Sequence, residues 1–243
     1  DGGVLEGMIL NWIRRRSGGA VEAPRQSCRD SPVHPESAEL AHESDYSPDL
    51  KTLEDLLLED PLGALERAES ILAIKPDAIA VLEFAARAAE AAGDIQSALY
   101  FLSLASNLQP WNGHWVRARS RLMWGRGGSG GAIDLLTEFL AQNPADSQSV
   151  LLLARLHYAN WNHEQAIALL RQVVRNIPDH QGALNFLGLL TARELGNLAE
   201  GEELVTLSLG LDPDDVGSMG NLGWILSERG RVDLAQDFLS LSL

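Results

Sequence analysis

The sequence predicts an all-α fold in which short two-helix hairpins stack side by side as a solenoid. Proline recurs at steps of 34, 34, 34 and 35 residues, at Pro76, Pro110, Pro144, Pro178 and Pro213. A small residue stands twelve positions before each of the first four prolines, at Ala64, Ala98, Ala132 and Ala166. Small residues also recur in the first half of each unit, at Ala86, Ser120, Ala154, Gly188 and Gly223. Two helices approach closely only where no bulky side chain separates them, so this spacing indicates repeated helix–helix contacts.

Residues 147–180 illustrate the hairpin that the rest of the chain repeats. The apolar residues of the first helix recur at helical spacing, at Val150, Leu153, Ala154 and Tyr158. Residues 160–162, Asn-Trp-Asn, predict the turn. The second helix has its own apolar stripe, at Ala166, Leu169, Leu170, Val173 and Val174. Pro178 ends it, because proline lacks an N–H and disfavours the α conformation of the preceding residue. Helices this short are unstable alone, so each hairpin needs a neighbour.

A 34-residue period of helix–turn–helix units is the signature of the tetratricopeptide repeat (TPR). The chain resembles the TPR family over residues 45–243. The resemblance implies a right-handed α-solenoid of about five to six repeats, near 45–78, 79–112, 113–146, 147–180, 181–215 and 216–243. The sequence departs from the family pattern in the fifth repeat, which has one additional residue and has Gly201 near the position where the family usually has alanine.

The turns between the predicted helices are marked by glycine in most units. Gly93-Asp94, Gly196-Asn197 and Gly230 each stand at a predicted turn, and Pro61 is well placed at a helix start. The third repeat carries the glycine-rich stretch 125–131, which we interpret as an insert-like, flexible turn. It follows no strand and lacks the Lys-Ser or Lys-Thr pair of a phosphate-binding loop, so phosphate binding is not expected.

Composition narrows the classes of partner. The 243-residue chain has a formal net charge of −15, with 34 acidic and 19 basic residues. This argues against general nucleic-acid binding, which depends on neutralising phosphates, and against sustained contact with an anionic membrane surface. The single cysteine, Cys28, allows no intramolecular disulfide and fits a reducing compartment. We expect a cytoplasmic location, or a periplasmic one if a leader precedes Asp1.

The first 48 residues differ from the repeats. Residues 1–16 predict an amphipathic helix, with its apolar face at Val4, Leu5, Met8, Ile9, Trp12 and Ile13 and three arginines at 14–16. This helix packs on the array or another subunit, lies at a membrane interface, or occupies the TPR groove. Residues 17–48 predict a linker with proline and glycine. The span 30–60 holds ten acids against Lys51, and predicts either a solvated tether or a plug for a basic groove.

No group of residues predicts catalysis. The six histidines lack the spacing of a zinc site, no serine lies in a nucleophile-elbow context, and no carboxylate pair stands out in the repeats. We therefore expect no enzyme activity, no cofactor and no metal in this chain. The chain begins without Met and ends within a hairpin that lacks a polar cap, so we expect it to be part of a longer protein.

An arginine ladder is the main candidate binding feature. Arg87, Arg121 and Arg155 are 34 residues apart, and Arg117 precedes Arg121 by one turn. The TPR resemblance implies that this slot lines the concave groove, with further groove positions at Tyr158, Asn185, Arg193, Asn221 and Trp224. Guanidinium groups bind carboxylates through paired hydrogen bonds. The other interpretation is local ion pairing, because Glu83 and Glu90 flank Arg87 on the same predicted helix.

The sequence thus predicts a scaffold or adaptor that binds a segment of another protein, acidic or carboxylate-ended, in the groove. One alternative is the non-catalytic TPR part of a larger bacterial enzyme, of the glycosyltransferase or sulfotransferase type. Another is a subunit of a membrane-associated assembly, with membrane contact only through residues 1–16.

Overall fold

The structure is a computed structural model that describes residues 54–241. Within this range the chain is all-α and has no strand. The predicted amphipathic helix at 1–16 and linker at 17–48, including Cys28, lie outside the described residues. The described chain divides into two compact units, residues 54–144 and residues 145–241, here called the first and second unit.

Each unit consists of consecutive helices that are joined by short turns. The first unit contains α1 (54–59), α2 (Pro61–Ile74), α3 (Ile79–Ala91), α4 (Ile95–Leu108), α5 (Gly113–Gly125) and α6 (Ser129–Gln142). The second unit contains α7 (Ser147–Ala159), α8 (His163–Asn176), α9 (Gln181–Glu194), α10 (Leu198–Leu211), α11 (Val216–Glu228) and α12 (Val232–Leu241). In the first unit, each helix from α2 to α5 packs against the helix that follows it. In the second unit, each helix from α7 to α11 does the same. In the second unit α9 also contacts α11, the first helix of the following hairpin.

The helix boundaries follow the local sequence. Pro61 occupies the start of α2, as predicted, where its missing N–H costs nothing. Side chains of Asp60, Asp94, Asp146 and Asp215 accept a hydrogen bond from a backbone N–H in the first turn of the helix that follows. At α4, hydrogen bonds from the hydroxyl and the backbone N–H of Ser97 lower the pKa of the Asp94 carboxyl. Aspartate therefore caps two of the described helices in each unit.

The glycine-rich stretch 125–131 is not an insert. Helix α5 continues through Gly125, and α6 begins at Ser129, so only residues 126–128 form the turn. Gly127 has a φ of +80°, a left-handed conformation that glycine adopts without steric cost. Gly93, with the same φ, stands 34 residues earlier in the preceding hairpin. The expectation of an unusually long turn is wrong, because the flanking glycines are helical.

The small residues predicted to lie between helices are buried in every hairpin. Four of them are fully buried on the second helices, namely Ala64, Ala98, Ala132 and Ala166. The equivalent first-helix positions are buried too, at Ala86, Ser120, Ala154, Gly188 and Gly223. Larger side chains fill the space around them, and in the first unit the core includes Leu65, Leu82, Phe84, Phe101 and Leu102. The predicted pattern of close helix contacts is therefore present in both units.

The α9–α10 hairpin packs through two glycines. A methyl group on Gly201 would lie 2.8 Å from the carbonyl oxygen of Gly188, and one on Gly188 would lie 2.9 Å from the carbonyl oxygen of Gly201. Both distances are shorter than real contacts of a β-carbon, and the obstacle is backbone that cannot rotate away. The glycine at the usual alanine position is thus required by the closeness of these two helices.

A carboxylate is buried in the same hairpin. The side chain of Glu202 is 5% exposed and accepts hydrogen bonds from Arg229 and, at 2.8 Å, from Arg231. In the four preceding hairpins this slot holds an apolar residue, at Leu65, Leu99, Ile133 and Ile167. The two arginines flank the turn between α11 and α12. Glu202 therefore ties the last hairpin to α10 by charge rather than by apolar contact.

We predict that Gly201→Ala lowers the free energy of unfolding by about 1–3 kcal/mol, because the added methyl group overpacks the α9–α10 contact. The matched control is Gly210→Ala on the same helix, where a methyl group meets nothing within 4 Å. That substitution should raise stability by about 0.5–1 kcal/mol through helix propensity. Urea denaturation of both variants checks this, and equal stabilisation by both would contradict the close contact.

We also predict that Glu202→Gln destabilises the chain by about 2–3 kcal/mol, because two charged donors lose their charged acceptor. Glu203→Gln is the control, since Glu203 is the adjacent exposed carboxylate and its neutralisation should be nearly neutral. The measurement is thermal unfolding of both variants at the same pH. If both variants lost the same amount of stability, the change in net charge, and not the loss of the buried ion pairs, would explain the effect.

Candidate functional site

The first unit contains a cleft between the first helices of two successive hairpins, α3 and α5. Its volume is about 440 Å³, and α4 closes one side. The walls carry three guanidinium groups, those of Arg87, Arg121 and Arg126. We call this the arginine cleft. Its apolar lining is formed by Ala86, Ile95, Leu102, Ala118 and Leu122.

Two carboxylates and a histidine complete the cleft. Glu83 and Glu90 of α3 both line it. The carboxylate of Glu83 lies 3.3 Å from Nε2 of His114 on α5, so this pair links the two helices across the cleft. The cleft therefore combines cationic, anionic and apolar surface, which suits an extended segment with side chains of more than one kind.

Arg87 forms an ion pair with a residue of the preceding hairpin. Its Nη1 donates a 2.8 Å hydrogen bond to Oε1 of Glu54 on α1. Both side chains are about half exposed, at 50% and 57%. The predicted local pairing with Glu83 and Glu90 is not what the described residues show for Arg87. Its partner lies 33 positions earlier, because stacking brings α1 and α3 side by side.

The other arginines of α5 differ in their surroundings. Arg121 is exposed and lines the arginine cleft together with Arg87. Arg117 is half-buried, has a polar or ionic partner, and is not among the residues that line the cleft. The arginine cleft thus includes Arg121 and not Arg117, and the expectation that both face one groove stays a prediction. Partial burial lowers the pKa of Arg119, which lies on the opposite side of α5 from Arg117 and Arg121.

Several predicted groove residues lie in the second unit, and two of them bind each other. The side-chain amide of Asn221 on α11 donates a 2.8 Å hydrogen bond to Oδ1 of Asn185 on α9. Asn185 in turn lies 3.4 Å from the carboxylate of Asp215, the cap of α11. Trp224, one turn later, packs against the core of α10–α12. Asn185 and Asn221 thus form a polar strip between α9 and α11, the first helices of two successive hairpins. Trp224 is partly buried and contributes to the apolar core.

Two further predicted residues of the second unit, Tyr158 and Arg193, flank one carboxylate. Glu194, at the end of α9, lies 2.7 Å from Nδ1 of His163 and 3.4 Å from the hydroxyl of Tyr158. Arg193 is 60% exposed and only 3.8 Å from the same carboxylate. Arg155 is exposed on α7. The structure thus places Arg87 and Arg121 in one cleft, while Arg155 belongs to the other unit.

Trp161 is an exposed aromatic residue that the sequence pattern did not single out as a site. It occupies the turn between α7 and α8 with a φ of +62°, and its side chain is 85% exposed. At the matching position four other hairpins have glycine at positive φ, namely Gly93, Gly127, Gly196 and Gly230. Its ring lies 5.7 Å from that of His163, which packs on Tyr158 at 4.9 Å. Alignment of the turns by the 34-residue period is the signal that identifies this substitution.

Comparisons with known proteins agree with the helix hairpins. A family model described as tetratricopeptide repeat matches residues 129–189. Residues 129–189 therefore have the sequence pattern of tetratricopeptide repeats. A TPR repeat-containing protein of Pseudomonas aeruginosa, PA4667, is 30% identical over 108 residues. That match covers 44% of this chain and 18% of the relative, so the chain spans less than a fifth of the relative's length.

Solved structures of TPR proteins resemble the chain in fold. A TPR protein of Parabacteroides merdae superposes with a TM-score of 0.62 at 16% identity, covering 80% of this chain and 77% of that one. The protein TTC0263 of Thermus thermophilus gives 0.58 at 20% identity, covering 68% and 90%. A chain of the Cut9–Hcn1 complex of the APC/C gives 0.61 at 17% identity, covering 79% and 38%. These similarities support the TPR fold of the hairpins.

Other kinds of site find little support in the described part of the chain. No group of three or more histidine, cysteine or carboxylate residues within 54–241 has the arrangement of a metal site. Across the same range, no helix combines the length and apolar character that crossing a bilayer requires. The expectations of no cofactor and no enzyme activity stay predictions.

We predict that Trp161→Gly gives a more stable TPR chain than Trp161→Ala, by about 1 kcal/mol. Both variants lose the ring, but only glycine relieves the left-handed backbone. Circular dichroism during thermal unfolding of the two variants measures the difference. Gly196→Ala is a companion variant, because it introduces the same strain at a matching turn and should lower stability by a similar amount. Equal stability of the two Trp161 variants would contradict a strained turn.

Proposed function

We propose that this chain is a protein-interaction module that holds an acidic or carboxylate-ended segment of a partner protein in the arginine cleft. The observation that carries this proposal is the convergence of Arg87, Arg121 and Arg126 on one cleft of a chain with net charge −15. Lone surface arginines in such a chain find acidic neighbours easily. Three that line the same cleft outnumber its two carboxylates, Glu83 and Glu90, and offer an anionic ligand several guanidinium partners on one surface.

The chemistry of the cleft suits a ligand that carries carboxylates. A guanidinium group offers a planar pair of N–H donors that match the two oxygens of a carboxylate. The apolar lining from α4 and α5 accepts the aliphatic or aromatic side chains that alternate with acids in an extended peptide. Glu83 and Glu90 would repel acids placed beside them and thereby select where the ligand's charges sit.

The strength of binding should come from few contacts. Exposed ion pairs contribute little in water and are screened by salt, so Arg87, already paired with Glu54, contributes less than Arg121. Arg121 is exposed and lies within the cleft. We therefore assign Arg121 as the main anchor, with the apolar lining adding affinity through buried area. The strip of Asn185 and Asn221 provides amide groups for a second segment of extended backbone in the other unit.

The proposed role is compatible with a longer protein. The relative in Pseudomonas aeruginosa is much longer than the matched part, and a TPR module can recruit partners for whatever else such a chain contains. The two alternative roles, the TPR part of a bacterial enzyme and a subunit of a membrane-associated assembly, stay predictions.

We predict that Arg121→Glu weakens binding of acidic peptides at least ten-fold. The test selects peptides from a random library on the immobilised chain, and measures their Kd for the unaltered and variant chains by fluorescence anisotropy. Selected peptides should be rich in Asp and Glu or depend on a free terminal carboxylate. Their Kd should rise with ionic strength, because exposed charge pairs are screened.

The matched control is Arg67→Glu, which makes the same charge change at an exposed arginine of α2 outside the arginine cleft. Arg67→Glu should leave the Kd within about two-fold of that of the unaltered chain. Equal loss of affinity in both variants, with both folded by circular dichroism, would assign the effect to net charge and reject the cleft.

A further inference from the structure

We infer that the arginine cleft has a ligand within this chain: the acidic segment 36–49, which competes in cis with partner peptides. The segment lies outside the described residues, and its sequence is ESAELAHESDYSPD. The inference rests on the proposed function, because it names a ligand and a mode of regulation for the same cleft.

The ion pair between Glu54 and Arg87 supports this assignment. The carboxylate of Glu54 on α1 accepts a 2.8 Å hydrogen bond from Arg87, so a guanidinium group of the cleft wall already takes an acidic partner from the preceding hairpin. Asp49, the last acid of the segment, stands only five positions before Glu54 in the sequence.

The length of the segment fits the distance it must cover. An extended chain spans at most about 3.3–3.6 Å per residue, so the five residues from Asp49 to Glu54 reach at most about 18 Å. Packed helices lie about 8–10 Å apart. Residues 43–49 can therefore reach from α1 past α3 to Arg121 on α5 without strain, and residues 36–42 can follow the cleft further.

The composition of the segment matches the cleft in charge and in apolar content. It contains five acids, at positions 36, 39, 43, 45 and 49, and no lysine or arginine. Leu40 and Tyr46 stand among the acids and match the apolar lining formed by α4 and α5. The segment thus has the same chemistry as the partner peptide that the arginine cleft is proposed to bind.

Covalent attachment makes such a ligand effective even when its intrinsic affinity is low. A short flexible tether gives an effective concentration in the millimolar range. A segment with a Kd of about 100 μM in trans would then occupy the cleft roughly 90% of the time and weaken a competing peptide about ten-fold. Partners of low affinity would be excluded, and partners with a stronger acidic motif would displace the segment.

The experiment measures how the attached segment changes binding of the same segment supplied separately. The probe is a fluorescein-labelled synthetic peptide of residues 36–49, titrated with the full chain in anisotropy measurements. The test variant is E36Q/E39Q/E43Q/D45N/D49N, which removes the acids of the attached segment. We expect this variant to bind the probe at least ten-fold more tightly than the unaltered chain. Adding Arg121→Glu to it should abolish the gain.

The matched control is E59Q/E66Q/E69Q/D134N/E138Q, which removes five exposed acids from other surfaces and changes the net charge equally. It should leave the Kd of the probe within about two-fold of that of the unaltered chain. An equal gain in both five-fold variants would overturn the inference, because net charge alone would explain it.

The remaining outcomes separate this inference from the proposed function. If the library-selected peptides bind the unaltered and neutralised chains equally and Arg121→Glu weakens both, the cleft binds acidic peptides but the attached segment does not occupy it. If Arg121→Glu changes neither the probe nor the selected peptides, the cleft itself is rejected. If the loss of affinity grows with protein concentration and light scattering shows dimers, the segment acts between two copies and occupancy in cis is wrong.

Discussion

The close approach of two helices at small residues is the constraint on which every hairpin of this protein depends. Ala98, Ala132 and Ala166 are fully buried between the two helices of their hairpins. A larger side chain at any of these positions would force the two helices apart. Each helix is too short to be stable alone in water, so its apolar face must be covered by the next helix. The arginine cleft, the polar strip of Asn185 and Asn221, and the tight turns between helices all depend on this repeated contact.

The exceptions to the repeat pattern are as informative as the pattern. Gly201 replaces alanine where α9 and α10 come close enough for backbone contact, and the adjacent Glu202 replaces an apolar residue where two arginines of the next hairpin are at hand. Trp161 replaces glycine in a left-handed turn and projects into solvent. The first two substitutions have packing reasons within the second unit. The third strains the backbone without burying the ring, which makes it a residue of interest for binding rather than for stability.

The candidate site was only partly predictable. The shared slot of Arg87 and Arg121 follows from the 34-residue period, because equivalent residues of stacked hairpins face the same side, and both line the arginine cleft. Arg117 is one turn from Arg121, yet it is half-buried and is not among the residues that line the cleft. The pairing of Arg87 with Glu54 joins residues 33 positions apart in sequence, and local spacing could not select it over Glu83 or Glu90.

The sequence by itself determined the class of fold and the buried small positions, because these depend on periodic patterns that each 34-residue repeat carries within itself. The tertiary structure alone decided which charged side chains meet: Glu54 with Arg87, Glu202 with Arg229 and Arg231, and Glu194 with His163. The physical reason is that apolar burial is specified by the spacing along one helix. An ion pair between hairpins depends on the rotation and separation of two helices, to within the reach of a hydrogen bond.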